Sequence, residues 1–214
     1  MLDALLLAKT PVLLRAVYRD CLWKVPEQEK VIYLTFDDGP IPEVTPGILD
    51  VLKQWEAKAT FFCIGKNAEA NRGILERIKK EGHSIGNHTQ HHLNGWMQSN
   101  AAYYENATAC DATLEGYVTK RDGLPLFRPP YGKLKPSQYV HMRGKYKLVM
   151  WDVLSFDFDI PMSKEQVLKN VLNNTEPGSI VVFHDSLKAQ PKVGYALPKV
   201  LEHFSALGYR FAAL

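Results

Sequence analysis

From Val31 to Phe36 every side chain is β-branched, aromatic or aliphatic (VIYLTF), and the run stops at Asp37-Asp38-Gly39-Pro40. A short, continuously apolar run bounded by turn residues predicts a strand buried on both faces. Comparable runs recur at 59–65 (ATFFCIG), 83–88, 126–132 (LFRPPYG), 147–153 (KLVMWDV), 179–185 (SIVVFHD) and 209–214 (YRFAAL). Between them the apolar positions shift to helical spacing. Ile48, Leu49, Leu52 and Trp55 follow Thr45-Pro46, which reads as an N-cap with proline at the first helical position. Ile74, Leu75 and Ile78 precede a terminating Gly82, and Val167, Leu168, Val171 and Leu172 follow a Ser163/Gln166 capping box. A longer, more polar helix is expected over 98–118 and another over 196–207. A looser stripe of Leu2, Leu5, Leu6, Val12, Leu13 and Val17 predicts a lead-in, residues 1–30, packing on a body of residues 31–214. About seven strands alternating with helices predict an α/β fold with a parallel sheet, open or closed into a barrel.

Composition narrows the class. The 214 residues suffice for one core, and 46% hydrophobic with 23% charged residues is ordinary for a globular protein. A formal charge of +3, scattered along the chain, argues neither for nucleic acid nor for a membrane surface as partner, and none is expected. Cys21, Cys63 and Cys110 are odd in number, far apart and contain no C-x-x-C, so neither a disulfide framework nor a cysteine zinc site is indicated. Cys63 reads as a small core hydrophobe. The amino-terminal MLDALLLAKT has only five consecutive apolar residues, Ala4 to Ala8. It carries Asp3 where a signal peptide is positive, and no run reaches transmembrane length. A cytoplasmic location is the default expectation, with the cell envelope as alternative.

The candidate chemistry sits where strands end. Asp37 and Asp38 follow the first strand, His88 to His92 the third, Arg128 to Tyr131 the fourth, Asp157 the fifth and His184 the sixth. Loops at the carboxyl ends of parallel strands share one face of such a fold, so these residues are expected at one site. Adjacent acids on a straight strand point to opposite faces, so the backbone must bend for both to serve it, and Gly39 would permit the bend. His88 and His92 have the H-x-x-x-H spacing at which imidazoles meet on one helical face. His91 would then point away, and His83 reads as structural. Two histidines and a carboxylate leave coordination positions open, which suits Zn²⁺ with the second aspartate as general base. Arg128, tied to Asp37, would hold that acid ionised and aimed. His184, after an apolar run, becomes a credible general acid with a carboxylate partner such as Asp157.

Thr35-Phe-Asp-Asp-Gly-Pro40, His88-Thr-Gln-His-His92, Arg128-Pro-Pro-Tyr131 and Ile180-Val-Val-Phe-His184, with Ala59-Thr-Phe-Phe62 and Gly82 to His88, resemble in order and spacing the polysaccharide deacetylases. These are carbohydrate esterase family 4, with the NodB homology domain, and the resemblance runs from about Val31 to the carboxyl terminus. It implies a distorted (β/α) barrel of about seven parallel strands that removes acetyl groups from N-acetylated amino sugars of a chitin- or peptidoglycan-type glycan. It implies a divalent metal, zinc foremost and cobalt, nickel or manganese otherwise, held by Asp38, His88 and His92. Asp37 is the implied base, oriented by Arg128, and the Tyr131 N–H an oxyanion donor. His184 is the implied acid, oriented by Asp157. The family's usual Asp-x-x-Asp-Trp reads here Leu154-Ser-Phe-Asp157-Phe158, so its first acid and its tryptophan are replaced. A glycan-binding relative with impaired catalysis and an O-acetyl xylan esterase are the alternatives. The first is expected to lack a ligand, the base or the acid, and all five residues are present.

Overall fold

A computed structural model of the chain describes residues 7–26 and 28–214. Nine strands form the sheet: β1 (Val31–Asp37), β2 (Ala59–Cys63), β3 (Ser84–Asn87), β4 (Lys120–Arg121), β5 (Leu124–Phe127), β6 (Lys147–Leu148), β7 (Val153–Leu154), β8 (Ile180–His184) and β9 (Arg210–Phe211). Their order is β4-β5-β3-β2-β1-β8-β7, with β6 beside β5 and β9 beside β1. All pairings are parallel except β4 with β5. Among the described residues eight α-helices accompany them: α1 (Val12–Val17), α2 (Thr45–Gln54), α3 (Gly65–Ala70), α4 (Arg72–Lys80), α5 (Asn100–Thr113), α6 (Pro136–Met142), α7 (Lys164–Asn174) and α8 (Gln190–Ala206).

The α/β architecture is the expected one, but the sheet is not closed. The strand anticipated at 147–153 is split. Its start pairs with β5 at one edge and its end with β8 at the other. Residues 149–152 carry the chain across the gap, so β6 and β7 do not pair with each other.

β1 is buried at all seven positions, and its two faces differ. Ile32, Leu34 and Phe36 join the larger core under α2, α7 and α8, while Val31 and Tyr33 join a second cluster with Phe62, Leu126 and Val149. By the two-residue period of a strand, Thr35 and Asp37 share the face of Val31 and Tyr33. The first strand therefore delivers one carboxylate to the hollow side of the sheet without any distortion.

Local expectations needed small corrections. Thr45 begins α2 instead of capping it, because its hydroxyl accepts from Ile41 N–H (2.8 Å) and donates to Asp185 (2.6 Å). Ser163 does cap α7 by accepting from Gln166 N–H at 3.1 Å, whereas the Gln166 amide turns to Asn170. In the lead-in, Leu2, Leu5 and Leu6 lie outside the described residues, and Val12, Leu13 and Val17 are exposed. Packing falls instead on Thr10, Trp23 and Val25, and on backbone pairing with residues 148–154. No helix among the described residues is long and apolar enough to cross a membrane.

Candidate active site

The carboxyl ends of β1, β3, β5, β7 and β8 converge on a cavity of about 440 Å³ lined by Asp37, Asp38, His88, His92, Tyr131 and His184 among others. Asp37 is opposite His184 in the β1–β8 register and opposite Phe62 in β1–β2. The second aspartate reaches the same cavity by an unusual backbone. Asp38 has φ +90°, a conformation that costs a non-glycine residue roughly 1–3 kcal/mol and persists only where its surroundings impose it. Here they do. Asp38 N–H donates to Phe62 O (3.3 Å), Asn67 Nδ2 to Asp38 O (2.7 Å) and Asn71 Nδ2 to Pro40 O (3.1 Å). The bend expected at Gly39 is thus made by Asp38. Glycine follows for a different reason: a Cβ on residue 39 would lie 1.8 Å from Asp185 Oδ2.

His88 and His92 meet through a loop, not a helical face. Thr89 and His92 both have positive φ (64° and 54°), and the loop is pinned by Thr89 N–H to Asn87 Oδ1 (2.7 Å) and Gln90 N–H to Asn106 O (3.1 Å). Their rings are 5.1 Å apart. Asp38 Oδ1 lies 3.3 Å from His92 Nε2 and 3.8 Å from His88 Nε2. Donor atoms of the three residues all fall within 4.8 Å of one another. His91 is exposed, as expected. His83 accepts from Ala59 N–H (3.2 Å), and burial holds it neutral with a pKa near 4, in keeping with a structural role.

Two features of this trio fit a cation. Asp38 Oδ1 is buried without a hydrogen-bond partner, a costly condition for a carboxylate oxygen unless a ligand completes it. His88 Nδ1 sits 2.7 Å from the Arg128 carbonyl, which can only accept, so the proton is on Nδ1 and the Nε2 lone pair faces Asp38. Burial pushes the His88 pKa down to about 4 and that of His92 down as well, which keeps both imidazoles neutral and able to ligate. Neutral imidazoles with one carboxylate are a donor set for a borderline divalent ion such as Zn²⁺.

Arg128 is fully buried. Its Nη1 donates to Asp37 Oδ1 and to Thr35 Oγ1, both at 2.7 Å. Nη2 donates to Met150 O (2.8 Å), Nε to Val149 O (3.2 Å), and the guanidinium lies over the Phe62 ring at 4.1 Å. Burial alone would raise the Asp37 pKa, but the Arg128 charge, the charge of His184 and the Arg128 hydrogen bond outweigh it and hold it below the usual carboxylate value. Asp37 is therefore ionised.

His184 is the opposite case. Burial would lower its pKa, yet Asp157, bonded to Nδ1 at 2.7 Å, together with the charges of Asp38 and Asp37, raises it to about 9. The second Asp157 oxygen accepts the His184 backbone N–H at 2.7 Å, so the carboxylate is fixed twice. Phe158 packs edge-on against the imidazole at 4.9 Å, and Leu154 lines the cavity. The residues that replace an acid and a tryptophan thus add apolar wall beside His184. Tyr131 sits at the cavity with φ +60°, its ring 4.6 Å from that of His92. Among the described residues its N–H has no hydrogen-bond acceptor.

Residues 24–145 match the family described as polysaccharide deacetylase. A peptidoglycan-N-acetylglucosamine deacetylase of Bacillus cereus is 35% identical over 194 residues, covering 90% of each chain. The chain belongs to the polysaccharide deacetylase family. A chitooligosaccharide deacetylase of Azorhizobium caulinodans is 34% identical, with 76% of this chain and 77% of that one covered. Among solved structures, a peptidoglycan N-acetylglucosamine deacetylase in complex with 4-naphthalen-1-yl-N-oxidanyl-benzamide superposes with a TM-score of 0.85 at 33% identity. That match covers 96% of this chain and 95% of the other. Membership makes the protein a hydrolase of carbon–nitrogen bonds in acetylated sugars.

Sequence reasoning places Asp185 at the end of its strand but gives no role to the residues that support this site. Asp185 is buried behind the Asp38 turn, accepting from Gly39 N–H (2.8 Å) and Thr45 Oγ1 (2.6 Å), and burial raises its pKa to about 7. Asn67 and Asn71 hold the turn's carbonyls from α3 and its exit. Asp185 had a signal, as an acid directly after His184 at the end of a buried strand. The asparagines had none, because solvated asparagines are common in loops and helix ends.

Proposed function

We propose that the protein hydrolyses the N-acetyl group of β-linked N-acetylglucosamine in a peptidoglycan- or chitin-type glycan, with Zn²⁺ held by Asp38, His88 and His92. The catalytic unit of this reading runs from Val31 to Leu214, with residues 1–30 leading into it. The observation that carries it is one cavity holding a cation-donor trio between an ionised, Arg-clamped carboxylate and a protonated, Asp-clamped histidine. Bound there, the cation would supply Lewis-acid polarisation of the acetyl carbonyl and acidify the attacking water.

The chain's own groups do the rest. Asp37 is ionised and oriented through a single well-placed arginine, so it accepts the proton of the attacking water. The Tyr131 N–H donates to the oxygen that gains charge as the carbonyl becomes tetrahedral. Amine departure needs a proton, because an amide anion is a poor leaving group. His184 carries that proton at neutral pH, and Asp157 fixes its ring and stabilises the imidazolium. Leu154 and Phe158 keep that end of the cavity apolar, which favours the acetyl methyl over a polar group.

The test is acetate release from chitooligosaccharides, peptidoglycan fragments and acetylated xylan, with chelator and with added zinc. Release from the first two, lost with chelator and regained with zinc, is expected. His88→Ala and His92→Ala should lose bound metal, whereas Asp37→Asn should keep it and lose roughly a hundred- to ten-thousandfold in rate. Stoichiometric metal in both histidine variants, or release from xylan alone, would refute the reading.

A further inference from the structure

Residues 149–152, which cross between the two edges of the sheet, carry the carbonyls that set Arg128. Val149 O accepts from Arg128 Nε (3.2 Å) and Met150 O from Nη2 (2.8 Å), so one edge of the guanidinium rests on two consecutive carbonyls. The group is planar and its donors form a rigid fork. With that edge fixed, the direction of the remaining nitrogen is fixed too, and Nη1 points at Asp37 and Thr35. The aim of the arginine is therefore no better than the placement of the crossing segment.

The neighbouring strands hold that segment on one side only. Val149 N–H donates to Phe127 O (2.8 Å) of β5, and Asp152 N–H to Ile180 O (2.9 Å) of β8. The side facing the gap is taken by the amino-terminal segment. Leu22 N–H donates to Leu148 O (2.8 Å) and Met150 N–H to Leu22 O (2.9 Å). Thr10 Oγ1 donates to Trp151 O (2.7 Å), Thr10 N–H to Asp152 O (2.9 Å) and Leu154 N–H to Ala8 O (2.8 Å). One side chain fastens this strap. Asp152 is fully buried, and one of its oxygens accepts from Lys9 Nζ (2.8 Å) and Ser179 Oγ (2.6 Å) while the other accepts from Arg15 Nη2. A carboxylate so buried stays ionised only with such partners, so the strap and the crossing segment hold each other. Lys9, Arg15 and Asp152 all lie outside residues 24–145, the part that matches the family.

We propose that Asp152 is a positioning residue for the catalytic base. Bound by Lys9 and Arg15, it clamps the amino-terminal strap over residues 149–152, and the carbonyls held there aim Arg128 at Asp37. The inference rests on the deacetylase reading above, in which Asp37 takes the proton of the attacking water. Proton transfer requires that carboxylate within hydrogen-bond reach and correctly turned, so a small swing of the guanidinium is felt in the rate. The cation trio has other supports. The Asp38 turn hangs on Phe62 and Asn67, and the His88 loop on Asn87 and Asn106. Loosening the strap therefore separates the base from the metal, which a defect spread through the whole fold would not do. The amino-terminal residues thereby become part of the catalytic apparatus, although they precede the stretch that carries the catalytic groups.

Replacing Lys9 and Arg15 by glutamine removes both counter-charges, and adding Asp152→Asn removes the charge they leave behind, so the triple variant is expected to fold. In the zinc-loaded full chain it should lower kcat on an N-acetylglucosamine oligosaccharide by about tenfold or more, change KM less and leave the zinc content as in the wild type. The NMR signal of Arg128 Nε–H, assigned by its absence in Arg128→Lys, reads the guanidinium without turnover. Relative to the backbone amides of β1, its exchange with water should speed up by about tenfold in the triple variant. Arg15→Gln alone, which leaves Lys9 on Asp152, should show both changes at smaller size, and Arg15→Lys, which keeps the charge, should show neither. An unchanged kcat or an unmoved Arg128 signal in the triple variant would overturn the proposal. So would a fall in kcat that tracks lost zinc, or faster exchange shared equally by β1. A loosened Arg128 signal in a protein whose wild type releases no acetate would keep the positioning role and sink the deacetylase reading instead.

Discussion

Replacing Arg128 by methionine keeps most of the side-chain volume but removes the charge bonded to the buried Asp37 carboxylate. Asp37 then has two options. It can stay ionised without compensation, which costs about 3–5 kcal/mol when one partner of a buried pair is deleted. Or it can take up a proton, which at pH 7 costs about 4 kcal/mol for a carboxyl of ordinary pKa near 3.9, at 1.36 kcal/mol per pH unit. The cheaper route sets the loss, so Arg128→Met should cost about 4 kcal/mol at pH 7 from this pair. The carbonyls of Val149 and Met150, which also lose their donor, add roughly 1–3 kcal/mol more that does not depend on pH. The sign of the pH dependence follows from Asp37, whose pKa is lowered in the native protein. Its contribution is present above the unfolded pKa near 3.9 and lost as pH falls through the lower native value. In the variant the native pKa is raised instead, so the deficit should shrink to roughly 1.5 kcal/mol plus the carbonyl part at pH 5. Urea unfolding at pH 7 and pH 5 measures this, and with both losses counted the thermal unfolding temperature should drop by on the order of 10–28 °C at pH 7. Asp37→Asn in the Arg128→Met background should recover part of the loss, because the pair then contains no charge. A deficit under about 1 kcal/mol at pH 7, or one equal at both pH values, would refute the account of Arg128 as the counter-charge of Asp37.

Two further perturbations follow from the geometry. His184 with a pKa near 9 should give kcat/KM a basic limb near pH 9, since the acid is lost as pH rises through that value. Its charged pairing with Asp157 likewise stabilises the fold fully below about pH 6.5 and is lost through about pH 9. Asp157→Asn should move the limb below neutrality, and an unmoved limb would remove His184 from the role of acid. Asp185→Ala orphans the Gly39 N–H and should cost about 1–3 kcal/mol and weaken zinc binding at least tenfold by loosening the Asp38 turn. Asp185→Asn, which keeps an acceptor oxygen, should restore most of the zinc affinity in a calorimetric titration; wild-type affinity in Asp185→Ala would show that the turn holds itself.

The sequence by itself determined which residue types end which strands. Burial leaves a period of two or 3.6 in the apolar positions, a local signal that survives without knowledge of the fold. That was enough to put Asp37, Asp38, His88, His92, Arg128, Asp157 and His184 at one end of a parallel sheet, where all seven lie. The same local signal pointed to Gly39 as the residue permitting the bend and to a helical turn at His88 to His92, and in both cases long-range contacts decided otherwise. Gly39 N–H meets Asp185 across 146 residues, and that approach leaves no room for a Cβ at position 39, while Asp38 makes the bend. The His88 loop is shaped by Asn87 and Asn106, whose polarity reads like that of any surface residue. The strand at 147–153 looks continuous because most of its side chains are apolar, yet it serves two edges of an open sheet. The amino-terminal segment carries no motif, and only the register that brings Lys9 and Arg15 onto Asp152 turns it into a strap over the crossing segment. Periodicity reports how a residue meets water, a property of its near neighbours. Which distant residue it meets depends on strand register and on the paths between strands, and those exist only once the chain has folded.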